Sequence, residues 1–126
     1  MSDPTGDGLA RSRQELAAAE LLADHGFGSQ AVSRAYFAAF YAAEAALLVL
    51  DEARAKHSGV VSAFGRLLVR ERGLDERAGR LLRSLFERRS QADYELAGVP
   101  AHEAHQAVTD ARIVVQAVEA WMGHQP

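Results

Sequence analysis

The densest run of chemically able side chains is Arg88-Arg89-Ser90-Gln91-Ala92-Asp93-Tyr94. An arginine, a carboxylate and a phenol held together can grip a phosphate, position a ribose hydroxyl and stack a base. Arg89, Asp93 and Tyr94 are therefore the candidate catalytic residues, with Arg88 beside them as a binding residue. Arg89 and Asp93 are also four apart, so a continuous helix would pair them at its surface. Arg34 and Tyr41 form a similar couple, because seven residues is close to two helical turns. His57, in Lys56-His57-Ser58-Gly59, is the remaining group able to exchange a proton near pH 7, although its place ahead of a helix reads equally well as loop and cap structure.

Other motifs point away from chemistry. His102-Glu103-Ala104-His105 lacks the four-residue histidine spacing of a helical zinc protease, position 106 being Gln, and no third ligand stands nearby in sequence. His25 and His124 sit where helices end, near the negative end of the dipole. Gly26-Phe27-Gly28 follows no strand and lacks a third glycine, so it reads as a helix stop rather than a dinucleotide loop. There is no Gly-x-Ser-x-Gly elbow. With no cysteine, the chain has no disulfide framework, thiolate nucleophile or Cys-based zinc site. Neither a metal nor a cofactor is expected.

The 126 residues are 48% apolar and 25% charged, an ordinary globular composition of one domain's length. No apolar run approaches the ~20 residues of a membrane span, and the first ten residues lack the basic and apolar regions of a signal peptide. The expectation is a soluble, cytoplasmic protein without a membrane partner. The net charge of −3 conceals an asymmetry: Arg54 to Ser90 holds ten basic residues against four acidic, +6, and the remainder four against thirteen, −9. Thirteen of the fourteen cations are Arg, the residue suited to bidentate phosphate contact. Such a middle segment can recruit phosphates or an acidic partner, or simply be a solvated helix face.

The elements that must position these groups are helical. Residues 1–8 are polar and Gly-rich, expected to be disordered, and 9–126 form one domain. A first helix is predicted from Leu9 to His25, then a second capped by Ser29. The second places Val32, Tyr36, Ala39, Phe40, Ala43, Leu47 and Leu50 on one stripe, with Phe37, Tyr41 and Leu48 on another face, so it should be central. After a loop at Glu52 to Lys56, a third helix capped by Ser58 runs to about Val69. A fourth spans Leu74 to about Leu96, where Glu76 with Arg80 and Arg83 with Glu87 read as ordinary surface pairs. A fifth follows Pro100 and carries Val108, Ala111, Val115, Val118 and Met122 inward. The predicted architecture is an all-α antiparallel bundle of about five helices.

Three ordered blocks, SRAYFAAFYAAEAALL (33–48), KHSGVVSAFGRLLV (56–69) and LFERRSQADY (85–94), resemble the HEPN domain, specifically its small stand-alone UPF0332-type branch. The resemblance spans about residues 10–122. It implies a helical bundle that commonly forms a homodimer, often encoded beside a minimal nucleotidyltransferase with which it makes a toxin-antitoxin-like pair. Many HEPN domains are metal-independent ribonucleases in which an Arg, followed four to six residues later by a His, acts across the dimer. Here Arg89 is followed by Asp93 and Tyr94, and Arg34 by Tyr41, without that His. Two readings follow. In one, the chain binds RNA or nucleotide in a dimer groove lined by Arg34, Arg89 and Asp93, with Tyr41, Arg88 and His57 as further binding residues and endoribonuclease activity weak or conditional. In the other it is a non-catalytic homodimeric module that holds the nucleotidyltransferase.

Overall fold

The computed structural model describes residues 3–54 and 56–125, and all the regular structure among them is helical. The elements are α1 (Pro4–Asp24), α2 (Gly28–Val49), α3 (His57–Ala63) continuing as a π-helical stretch (Phe64–Arg70), α4 (Glu76–Tyr94) and α5 (Ala101–Met122). The expected all-α bundle is thus what forms.

Helix α1 starts earlier than its sequence suggests. Asp3 accepts a hydrogen bond from the Thr5 amide at 3.1 Å, and Pro4 occupies the first turn, where its missing N–H costs nothing. That cap outweighs Gly6 and Gly8, so residues 4–8 are helical rather than disordered; Met1 and Ser2 lie outside the described residues. Gly26 ends α1 at φ +83°, and Gly98 closes the turn after α4 at φ +82°, conformations that side chains with a Cβ rarely adopt. Ser29 does not cap α2, which begins one residue earlier. A Cβ on Gly28 would stand 2.1 Å from the Val99 carbonyl oxygen, so only glycine lets the chain enter the helix against that loop. In the same way α3 begins at His57, ahead of Ser58.

Helix α2 packs against every other helix. Ala31, Ala35, Ala38, Ala39, Ala42, Ala43, Ala45 and Ala46 are all essentially inaccessible, and their small side chains let neighbours come close. Ser12 Oγ donates to the Ala38 carbonyl at 2.6 Å, and a Cβ on Gly8 would touch Ala45. Contacts of residue 8 with 45, 12 with 38 and 15 with 34 run in opposite senses, so α1 and α2 are antiparallel. Ion pairs Arg13 to Glu119, Glu20 to Arg112 and Asp24 to His105 make α1 and α5 antiparallel too.

By length and composition α2 is apolar enough to cross a membrane, contrary to the expectation that no run approaches that size. Its most apolar window is 61% buried inside the bundle, as the central helix of a packed core requires. Of the expected inward positions, Leu48 is exposed, while Phe37 and Tyr41 are half-buried. Those two rings lead to the site.

Candidate functional site

Tyr36, Phe37 and Phe40 project from α2 toward the first residue of α3, His57. The Phe40 and His57 rings stack with centroids 4.2 Å apart, and Phe37 meets His57 edge-on at 5.6 Å. The Tyr36 hydroxyl lies 2.9 Å from His57 Nδ1. From α4, the Arg89 guanidinium sits over this box, 5.7 Å from the Tyr36 ring centroid and 5.3 Å from that of Phe37, within cation–π range. Phe86, one turn before Arg89, also packs on Tyr36.

Tyr36 is fully buried, and burial pushes its phenol far above its ordinary value, so it keeps its proton. His57 Nδ1 is the one partner of that hydroxyl among the described residues, and the arrangement that leaves no buried O–H unused has Tyr36 Oη–H donating to Nδ1. The ring proton of neutral His57 is then on Nε2. Desolvation, and secondarily the Arg89 charge, hold His57 below its usual value, so it is neutral at pH 7. His57 therefore carries an N–H on Nε2, close enough to Arg89 to feel its charge.

Arg89 is itself incompletely satisfied. Its Nε is 3.1 Å from Asp93 Oδ2, an ion-pair distance, but the N–H is not aimed at that oxygen, leaving a buried Nε without a hydrogen-bond acceptor. The side chain is 29% exposed, so its outer nitrogens can reach a ligand. A part-exposed guanidinium near a neutral imidazole N–H is an arrangement that can take an oxyanion, best a phosphate.

The other residues singled out from the sequence are distributed unevenly. Asp93 accompanies Arg89 and is half exposed. Arg34 shares the Phe37 ring, at 4.8 Å, but its charge is engaged by Glu15 at 2.7 Å, and Arg11 bonds the same carboxylate while resting on Tyr41. Arg34 and Tyr41 thus belong to the α1 to α2 contact and border the box from outside, Arg34 at Phe37 and Tyr41 at Phe37 and Phe40. Arg88 points elsewhere: Nη2 donates to Asp110 Oδ2 at 2.9 Å, joining α4 to α5. Tyr94, at the end of α4, is almost wholly exposed and makes no aromatic contact in the box. The expected Glu76 to Arg80 pair is present at 4.0 Å, whereas Arg83 and Glu87 do not pair.

Sequence reasoning placed Tyr36, Phe37 and Phe40 in the core without giving them a part in the site. Their crowding on one helix, with Tyr41, was the available signal: an ordinary core stripe needs neither so many rings nor a phenol. His102 and His105 do not converge. His105 instead bonds Asp24 at 3.0 Å, which raises its tendency to hold a proton, and no group of three His, Asp or Glu able to hold a metal occurs among the described residues.

Comparison with known proteins identifies the family. The HEPN domain profile matches residues 7–121. The chain is 32% identical over 108 residues to "Putative toxin MJ0605" of Methanocaldococcus jannaschii, covering 86% of this chain and 81% of that one. It is 35% identical over 115 residues to "UPF0332 protein glr0978" of Gloeobacter violaceus, covering 91% and 87%. The crystal structure of TT1696 from Thermus thermophilus superposes with a TM-score of 0.81 over 95% of this chain and 99% of that one; at 20% identity it speaks for the fold alone. With the profile spanning nearly the whole bundle and relatives of this similarity along most of their own length, UPF0332 proteins among them, the chain belongs to the HEPN domain family.

Proposed function

We propose that this chain is the toxin-like member of a two-component system and that it binds RNA through a backbone phosphate at Arg89 and His57. The observation that carries the reading is the Arg89 guanidinium, part-exposed and standing over a ring box that holds neutral His57. The name of the M. jannaschii relative supports the toxin-like part. A homodimer, a minimal nucleotidyltransferase as partner and a cytoplasmic location complete the proposal on the strength of the family resemblance.

Endoribonuclease activity is a second reading, favoured by Asp93. In metal-independent cleavage the ribose 2′-oxygen attacks phosphorus as its proton passes to a base, and the bond from phosphorus to the 5′-oxygen breaks as that oxygen takes a proton from solvent water. Arg89 would stabilise the charge on the phosphate. His57 Nε2 already carries a proton, which leaves the Asp93 carboxylate as the nearby base. A surface carboxylate is a weak base at pH 7, so turnover should be slow.

The test is binding of a fluorescein-labelled single-stranded RNA to the full chain and to Arg89→Ala, followed by cleavage assays with a chelator present. One charge-assisted contact is worth about 1.5–3 kcal/mol, so loss of Arg89 should weaken binding about tenfold or more with helicity unchanged. Equal binding by a folded Arg89→Ala protein would refute the site. Cleavage that survives chelation and falls in Asp93→Asn supports the second reading; its absence in the wild type leaves binding as the function.

A further inference from the structure

The arginines of this protein divide sharply into paired and free. Nine of the thirteen have a carboxylate within 4.0 Å. Among the described residues, Arg66, Arg70, Arg72 and Arg83 have none. Three of these four line one open groove of about 560 Å³ between the π-helical stretch and α4, where Arg80 joins them. Arg66 and Arg70 are on one wall, about one turn apart, and Arg80 and Arg83 are on the other with the same approximate spacing. The single carboxylate there is Glu76, itself highly exposed and 4.0 Å from Arg80, the weakest ion pair of the set.

The groove is built to be narrow and bare. A Cβ on Gly79 would come within 3.1 Å of Val69 Cγ2, so glycine there lets α4 approach the π-helical wall, whereas Gly65 faces open space. No aromatic side chain lines it, so it offers no surface for stacking a base. The wall itself is unusual: π-helical turns are rare and occur frequently at functional sites. The groove is also distinct from the Arg89 box. Nine residues separate Arg80 from Arg89, which puts them about half a turn out of phase, on opposite sides of α4.

We infer that this groove is a second RNA-binding site, holding the phosphodiester backbone of a single strand without reading its bases. Opposed guanidinium rows match an anion that recurs along a chain and can be gripped from two sides, and the missing aromatic surface suits a backbone rather than a base. The inference rests on the RNA reading above, and it adds a surface that would retain a strand independently of the Arg89 site.

The experiment measures fluorescence anisotropy of a short labelled oligouridylate with the full chain, Arg66→Gln/Arg70→Gln and Arg89→Ala, across a salt series. Both variants are checked for helicity by circular dichroism. The groove variant should bind about tenfold or more weakly. Its slope of log affinity against log salt should fall by about 1.4, two phosphate contacts at about 0.7 each for a single strand. Unchanged affinity and slope in the groove variant, with loss only in Arg89→Ala, would refute the groove and leave the Arg89 site standing. Loss in the groove variant with Arg89→Ala unaffected would support the groove and refute the Arg89 site. No binding by the wild type would overturn both. Poly-glutamate bound as tightly as the oligouridylate, and lost in the same groove variant, would assign the groove to an acidic protein partner and overturn the proposal.

Discussion

Arg88 and Arg89 are adjacent in sequence and opposite in role, and replacing each with alanine separates them. Arg88 Nη2 donates to Asp110 Oδ2 at 2.9 Å, and Gln106 Nε2 donates to Oδ1 at 2.9 Å, so these side chains engage both oxygens of the carboxylate. The Asp110 side chain is 11% exposed and that of Arg88 28%. In Arg88→Ala, Asp110 keeps only the Gln106 bond and remains a nearly buried anion. Breaking a buried pair costs about 3–5 kcal/mol, and the partial exposure of Arg88 argues for somewhat less, about 2–3 kcal/mol. For a domain of this size that is a fall in Tm of about 10 °C. Urea unfolding read by circular dichroism measures it. Asp110→Ala removes the stranded charge, so the double variant should be less destabilised than the two single changes added together, by about 1–2 kcal/mol. Arg88→Ala should leave RNA affinity unchanged in the folded fraction, and Arg89→Ala should do the reverse. A fully stable Arg88→Ala protein, or one that is stable but no longer binds RNA, would refute the assignment of Arg88 to the α4 to α5 contact.

Gly28→Ala should destabilise by about 2–3 kcal/mol, because its Cβ would collide with backbone at Val99 rather than with a side chain that can turn away; a melting curve within about a degree of wild type would contradict the close approach. His57 and His105 should titrate in opposite directions by NMR. His57, desolvated and beside Arg89, resists protonation when folded, so stability should fall as the pH drops below about 6.5, where the unfolded chain takes up the proton. His105, bonded to Asp24, holds its proton more firmly when folded; its contribution is complete below about pH 6.5 and is lost as the pH rises through the folded value. Asp24→Asn should return His105 toward an ordinary titration without moving His57, and a shift of both would show that the two are not independent.

Periodicity makes the five helices legible because burial of an apolar stripe is a local pattern. The stripe on α2, the break at Gly26 and the interruption at Pro100 all act over a few residues. Boundaries are less legible where a distant group decides them: α2 starts at Gly28 because the Val99 carbonyl stands beside it, and the start of α1 rests on the cap at Asp3. At the site, the block holding Arg89 and Asp93 is visible in the sequence as a dense polar run. His57 stands there as an isolated residue, whereas the family pattern leads one to expect a histidine a few positions beyond Arg89 on the same helix. The bundle instead brings His57 from the start of α3 to the ring box under Arg89.

By itself the sequence determined the main inward stripes of α2 and α5, the breaks at Gly26 and Pro100 and that the cations gather between Arg54 and Ser90. Those properties depend on backbone geometry and composition. Only the tertiary structure decided which charges cancel. Arg34 is engaged by Glu15 and Arg88 by Asp110, while Arg66, Arg70 and Arg83 stay free among the described residues. The reason is that apolar burial is periodic along one helix, whereas an ion pair depends on the rotation and spacing of two helices, which no single helix specifies.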